Sequence, residues 1–170
     1  MASAAPLGSP VPLTRRHNHS SFDCGSEPLN TYLKQFAWAN QQAGAARTYV
    51  ATHGNRVVGY YTLAYGSVEH EQASPRVRKG LARHPIPVMV LARLAVDWSH
   101  QGQGLGKGLL KDALVRTLQA ADIAGLRAVL VHAKDENAKE FYSRFGFEPS
   151  PVDEFHWMLL LKDLRRAVMA

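Results

Sequence analysis

Val88-Met89-Val90-Leu91-Ala92-Arg93-Leu94-Ala95-Val96 runs through Asp97-Trp98-Ser99-His100 into Gln101-Gly102-Gln103-Gly104-Leu105-Gly106-Lys107-Gly108, and this stretch decides the fold. Its first part is apolar and interrupted only by Arg93, the pattern of a buried central strand. Its last part sets glycines at alternate positions just ahead of Leu105, Leu109, Leu110, Ala113, Leu114 and Leu118, which fall on one helical face. A strand therefore feeds a helix, from about Gly104 to Ala124, through a glycine-rich loop, and Gly125 ends that helix.

Downstream, Ala128 to Ala133 reads as a second strand, and Asp135 can cap a helix over Glu136 to Arg144 that closes at Gly146. A last strand, Trp157 to Leu161, precedes a short basic tail. Upstream, Arg47 to Thr52 and Arg56 to Ala64 are rich in Val, Tyr and Thr around the turn residues His53-Gly54-Asn55, which predicts an antiparallel hairpin. Before it, Ser26 can cap a helix on which Leu29, Leu33, Phe36, Ala37 and Asn40 recur at helical spacing, ending near Gly44. The sum is a mixed α/β fold, with an antiparallel first half and a parallel strand pair joined by a right-handed crossover in the second.

With 170 residues, 46% of them hydrophobic, the chain can bury one core, so a single domain over 1–170 is expected, its first dozen residues loosely ordered. No apolar run reaches the roughly 18 residues of a membrane span. The start, with Pro6, Gly8, Pro10 and Pro12, lacks the apolar centre of a signal peptide. A cytoplasmic protein with no membrane partner is expected. The lone Cys24 fits a reducing compartment. No Cys/His set has structural-zinc spacing, and His17 and His19 lack further ligands nearby, so no metal is expected. The formal charge of +6 favours anionic partners. Arg15, Arg16 and His17 form one basic group, and Arg76, Arg78, Lys79, Arg83 and His84 a denser one. Solvated faces are the alternative reading of both.

Glycines where a strand meets a helix leave backbone amides uncovered, and the helix start adds partial positive charge, so a pyrophosphate suits the loop. The Rossmann spacing fails at every register. The P-loop pattern fails because Gln101 stands at its first glycine and Gly108 where Ser or Thr must follow Lys107. Dinucleotides, ATP and GTP are therefore disfavoured.

Gln101-x-x-Gly104-x-Gly106 directly after a strand resembles the GCN5-related N-acetyltransferases, the GNAT superfamily, over nearly the whole chain. The resemblance implies a GNAT acyltransferase fold with a splayed parallel strand pair, and acetyl-CoA as donor. Its pyrophosphate would be wrapped by Gln101, Gly102, Gln103, Gly104, Leu105, Gly106, Lys107 and Gly108, and its pantetheine arm would meet backbone groups of Leu94, Ala95 and Val96. Asn137 is also implied as a cofactor-binding residue. Transfer to an amine needs an uncharged amine, an oxyanion donor and a proton for the leaving thiolate. The resemblance makes Tyr142 the general acid, although Ala138, Phe141, Tyr142 and Phe145 share an apolar face and a core tyrosine is the alternative. The Leu94 amide is the candidate oxyanion donor. Arg93 stands where many relatives have a carboxylate, which suits an α-amine that is already largely neutral. Arg93 can equally be structural, paired with an acid such as Asp97.

Phe22-Asp23-Cys24-Gly25, Gly59-Tyr60-Tyr61-Thr62-Leu63, Arg93-Leu94-Ala95-Val96-Asp97, Val131-His132-Ala133 and Phe141-Tyr142 are similar to the GNAT toxins of bacterial toxin–antitoxin pairs. That branch acetylates the α-amine of aminoacyl-tRNA and so inhibits translation. The resemblance implies tRNA contact by Arg76, Arg78, Lys79, Arg83 and Arg93, a homodimer, and a ribbon-helix-helix antitoxin through which alone operator DNA is met. An N-acetyltransferase for a small amine or a protein N-terminus, and a non-catalytic CoA- or RNA-binding module, share the cofactor residues. Phe22 and Cys24 read as packing at a helix start.

Overall fold

Period-two patterning around a two-residue turn gives the hairpin its strands: β2 (Arg47–His53) and β3 (Arg56–Val68) pair antiparallel from Arg47↔Leu63 to His53↔Arg56, with an irregularity between Ala51 and Thr52. The computed structural model describes residues 7–169. Of the first dozen residues, 1–6 lie outside that range, while Val11–Pro12 forms a short strand, β1, antiparallel to β2.

Two compact units are formed, residues 7–64 with 92–113 and residues 65–91 with 114–169. Two strands, β3 and β4 (Ile86–Val96), and helix α4 (Leu105–Ala121) each begin in one unit and end in the other.

In the first unit, the early helix is broken into α1 (Glu27–Thr31), a π turn (Tyr32–Phe36) and α2 (Ala37–Gln42). The extra residue in the turn rotates the apolar stripe. Tyr32, Leu33 and Ala37 are buried, whereas Phe36, expected on the inner face, is 51% exposed. Ser26 holds the extended N-cap conformation, but its side chain makes no capping bond, and Pro28 starts the helix instead. Phe22, Tyr32, Leu33, Val50, Val57, Tyr60 and Ala95 form the core of this unit. Its tightest approach is at Gly59, where a Cβ would lie 3.0 Å from Leu109 and 3.2 Å from Leu105. A side chain here would press on both leucines, so glycine eases the seat of the start of α4 on β3.

In the second unit, β4 pairs parallel with β5 (Ala128–His132) from Val88↔Ala128 to Leu91↔Val131, the pair the crossover pattern predicts. Antiparallel to β5 lies β7 (His156–Leu160), and a short β6 (Glu148–Pro149) pairs with β7. Asp135 caps α5 (Glu136–Arg144) by accepting from the Ala138 amide at 2.8 Å, and Gly146, at φ +88°, lets the chain leave it. Two stretches differ from the sequence reading. Pro75–Arg78 in the basic segment is a short helix, α3, and the expected tail is a helix, α6 (Leu161–Met169). No helix among the described residues is long and apolar enough to cross a membrane.

Replacing Gly59 with Val should destabilise the protein by about 1–3 kcal/mol through overpacking against Leu105 and Leu109, read as a lower urea midpoint with an unchanged slope.

Candidate active site

Directly after β4 stands Asp97, a carboxylate only 4% exposed. It accepts from the Asp23 amide at 2.9 Å, from the Ser99 amide at 3.0 Å and from the Ser99 hydroxyl at 2.5 Å, with the Arg56 guanidinium 3.8 Å away. The backbone repeats the link, since the Trp98 amide donates to the Asp23 carbonyl at 2.7 Å and the Asp97 amide to the Val58 carbonyl at 2.8 Å. Burial pushes the Asp97 carboxyl upward, but the Ser99 hydroxyl, the Asp23 and Ser99 amides and Arg56 outweigh it and hold it below the usual carboxylate range.

Asp23 is fixed in turn. Its carboxylate accepts from the Gly25 amide at 2.9 Å and the Asn30 side chain at 3.0 Å, and Asn30 accepts from the Cys24 amide at 2.9 Å. The Gln101 side chain then donates to the carbonyls of Cys24 and Val96, both at 3.0 Å. Gln101 therefore staples the loop to the start of the early helix and the end of β4 with its side chain. The loop itself is open: Gly102 and Gly104 stand at φ +76° and +83°, and a Cβ on either would meet nothing within 4 Å. Backbone conformation, not crowding, demands glycine here. The first bond of α4 runs from the Gly108 amide to the Gly104 carbonyl at 3.1 Å, so the amides of Leu105, Gly106 and Lys107 precede any intrahelical acceptor. With no acidic residue in that first turn, the geometry suits an anion. Leu94 and Val96 lie half-buried and Ala95 buried at the end of β4, and Gln103 reaches back to the Ser99 carbonyl at 3.5 Å.

Arg93 does not pair with Asp97, whose oxygens are taken by Asp23, Ser99 and Arg56. Its guanidinium instead lies 3.5 Å from the centre of the Tyr32 ring. There it lines an open cleft of about 440 Å³ with Glu27, Pro28, Thr31, Tyr32 and Phe36.

In the second unit, Tyr142 is 8% exposed on α5, its ring 5.1 Å from that of Phe141 and 5.3 Å from that of Phe147. Burial raises its phenol well above the ordinary value, so the hydroxyl is protonated at neutral pH. Asn137 is exposed in the first turn of α5. Around α3, Arg127 donates to the Val77 carbonyl at 2.8 Å and the Lys79 carbonyl at 3.1 Å. Lys79 and Arg83 are exposed and Arg78 is half-buried. Arg76 is drawn aside: it pairs with both Asp163 oxygens and, at 3.8 Å, with Glu148, and the Asp163 bonds raise its pKa further.

The family model described as the acetyltransferase (GNAT) domain matches residues 44–149. The chain belongs to the GNAT acetyltransferase family. Over 149 residues it is 50% identical to a tRNA-acetylating toxin of Mycobacterium tuberculosis, spanning 88% of this chain and 89% of the relative. Among solved structures, AtaT complexed with acetyl-methionyl-tRNAfMet is similar at a TM-score of 0.88 and 29% identity, covering 96% of this chain and 99% of that one. An AtaT mutant bound to the C-terminus of the antitoxin AtaR and acetyl-CoA is similar at a TM-score of 0.83 and 28% identity, covering 97% and 99%. The glycine loop thus belongs to a GNAT fold, as its spacing after a strand suggests.

Several residues of this GNAT site escape sequence reasoning. Asp97 and Asp23 are separated by 74 positions and give no local signal of their bond. Glu27 shares the Arg93 cleft, yet in sequence it reads only as an acid in a helix's first turn. The Gln101 side chain, in the loop expected to wrap the cofactor, points to two carbonyls.

Asp97→Asn should cost about 1.5–3 kcal/mol at pH 7, because the Asp23 and Ser99 donors lose a charged acceptor. A carboxyl held below its unfolded value contributes fully above about pH 4 and loses that contribution as pH falls through the folded value. The stability gap between wild type and variant, read by urea titration, should therefore shrink between neutral pH and pH 3.

Proposed function

We propose that this chain is a toxin that transfers acetyl from acetyl-CoA to the α-amino group of aminoacyl-tRNA, stopping translation until an antitoxin neutralises it. The reading is carried by the 50% identity to a tRNA-acetylating toxin over 88% of the chain. The site chemistry agrees with it. The amides of Gly102, Gln103, Gly104, Leu105, Gly106 and Lys107 would cradle the pyrophosphate, with Gln101 holding the loop in shape and Gly108, whose amide is taken by the Gly104 carbonyl, leaving the approach free of a side chain. Backbone groups of Leu94, Ala95 and Val96 would align the pantetheine arm, with the Leu94 amide as oxyanion donor and Asn137 as a further cofactor contact. Acetyl-CoA supplies the activated acetyl group.

Tyr142 acts as general acid toward the leaving thiolate, its phenol carrying a proton at neutral pH. Little is asked of a base. An α-amine near pKa 8, lowered further in an aminoacyl ester, is already substantially neutral. The Arg93 cleft receives the aminoacyl end, while Arg78, Lys79 and Arg83 contact the RNA. Arg76, neutralised by Asp163 and Glu148, contributes less than its charge suggests. The chain works as a single cytoplasmic domain over 1–170, as a homodimer, with a ribbon-helix-helix antitoxin that bridges it to operator DNA.

Labelled acetyl-CoA supplied with total charged tRNA should label the RNA, and tRNA stripped of amino acids should stay unlabelled. Equal labelling of both, or labelling of free amines and peptides instead, overturns the reading. Tyr142→Phe should lower kcat by about 10²- to 10⁴-fold while acetyl-CoA affinity is nearly kept. Exchanging Arg78 and Lys79 for glutamate should weaken tRNA binding and flatten its salt dependence, measured by filter binding across a salt series.

A further inference from the structure

The basic group Arg15, Arg16 and His17 finds no use in the site above, and its surroundings in the first unit are specific. A second cleft, of about 300 Å³, is lined by Arg15, His19, Lys34, Gln35 and Trp38, together with small and apolar residues. Its lining includes no carboxylate among the described residues. Arg15 lies over the Trp38 ring at 5.4 Å. Two polar atoms in this same wall, His19 Nδ1 and the Trp38 indole nitrogen, are buried with no hydrogen-bond partner.

An indole N–H can only donate, and leaving it buried without an acceptor costs about 1–3 kcal/mol. Native folds rarely leave such atoms without a use for them. His17 is different, because its Nδ1 accepts from the Thr14 amide at 2.9 Å and its surroundings are thereby satisfied. The cleft therefore combines two cations, an amide, two unsatisfied ring nitrogens and an aromatic face. What it lacks is an acceptor with negative charge.

We propose that this cleft is a second anion site, taking a backbone phosphate of the RNA substrate, apart from the glycine loop. The proposal rests on the aminoacyl-tRNA reading. Both ring nitrogens are closed to water as they stand, so the phosphate enters as the exposed Arg15 swings off the Trp38 ring, and the guanidinium then closes on the phosphate oxygens. A phosphodiester fits better than a carboxylate side chain, because its oxygens can pair with the Arg15 and Lys34 cations of the lining while the neighbouring ribose or base uses the aromatic face. Such a contact fixes register on the RNA and is indifferent to sequence.

The test uses the full chain, uncharged tRNA and acetyl-CoA, with binding followed over a salt series. The double variant R15E/K34E should bind tRNA about tenfold more weakly at moderate salt, with the slope of log K against log salt reduced by roughly 1 to 2. Its acetyl-CoA affinity and thermal midpoint should match wild type. Trp38→Phe keeps an aromatic face but removes the N–H donor along with the five-membered ring, so it should weaken tRNA binding without changing the slope. Unchanged tRNA affinity and slope in R15E/K34E, with wild type still acetylating charged tRNA, overturns the second site alone. Loss of binding to an acidic antitoxin peptide with tRNA binding intact also overturns it, in favour of a protein ligand. Failure of wild type itself to acetylate charged tRNA overturns the functional reading and this one with it.

Discussion

The Asp97 carboxylate is the constraint on which the rest of the site hangs. It sits just past the end of β4, buried, and fills its oxygens with the Asp23 amide, the Ser99 amide and the Ser99 hydroxyl. A buried carboxylate must be satisfied in this way or be protonated. Satisfying it draws a segment from the start of the chain onto the end of the central strand. Once Asp23 is held, Asn30 and Cys24 are held through it, and the Cys24 carbonyl becomes an acceptor for Gln101. The shape of the glycine loop is thus set by a chain of bonds that begins outside it.

That arrangement reconciles two demands on the loop. Binding a pyrophosphate needs bare amides in a fixed array, and glycines at positive φ supply the bareness but are conformationally permissive. Stiffness comes from elsewhere: Gln101 on one side, the Leu105 and Leu109 contact with the surface of β3 at Gly59 on the other. Side chains that touch no ligand thereby organise backbone that does.

In the second unit the charged residues divide by partner, not by type. Arg127 spends its guanidinium on the carbonyls at the end of α3 and so fixes the basic segment's backbone. Arg76 is tied to Asp163 and Glu148, while Lys79 and Arg83 remain exposed. A cluster that looks uniform in sequence therefore contains neutralised and available cations, on a backbone fixed by an arginine from elsewhere in the chain. Tyr142 shows the same dependence on position: the apolar face of α5 that makes it a core residue also raises its phenol above the ordinary value.

The sequence by itself determined whatever is decided within a few residues. The hairpin around Gly54-Asn55, the Asp135 cap, the closure at Gly146 and the strand, loop and helix of Val88 to Ala121 follow from backbone sterics and hydrophobic period, and each is found close to where the residues put it. GNAT membership was legible because the glycine spacing is itself local. Only the tertiary structure decided the rest. The π turn that turns Phe36 outward, the helix at the C-terminal end, the Asp97 bond to Asp23, the seat of Arg93 on Tyr32 and the unsatisfied cleft beside Trp38 all depend on which distant surfaces meet. Their partners are set by burial and by the need to satisfy polar groups once the chain has closed, and no spacing along the chain records that.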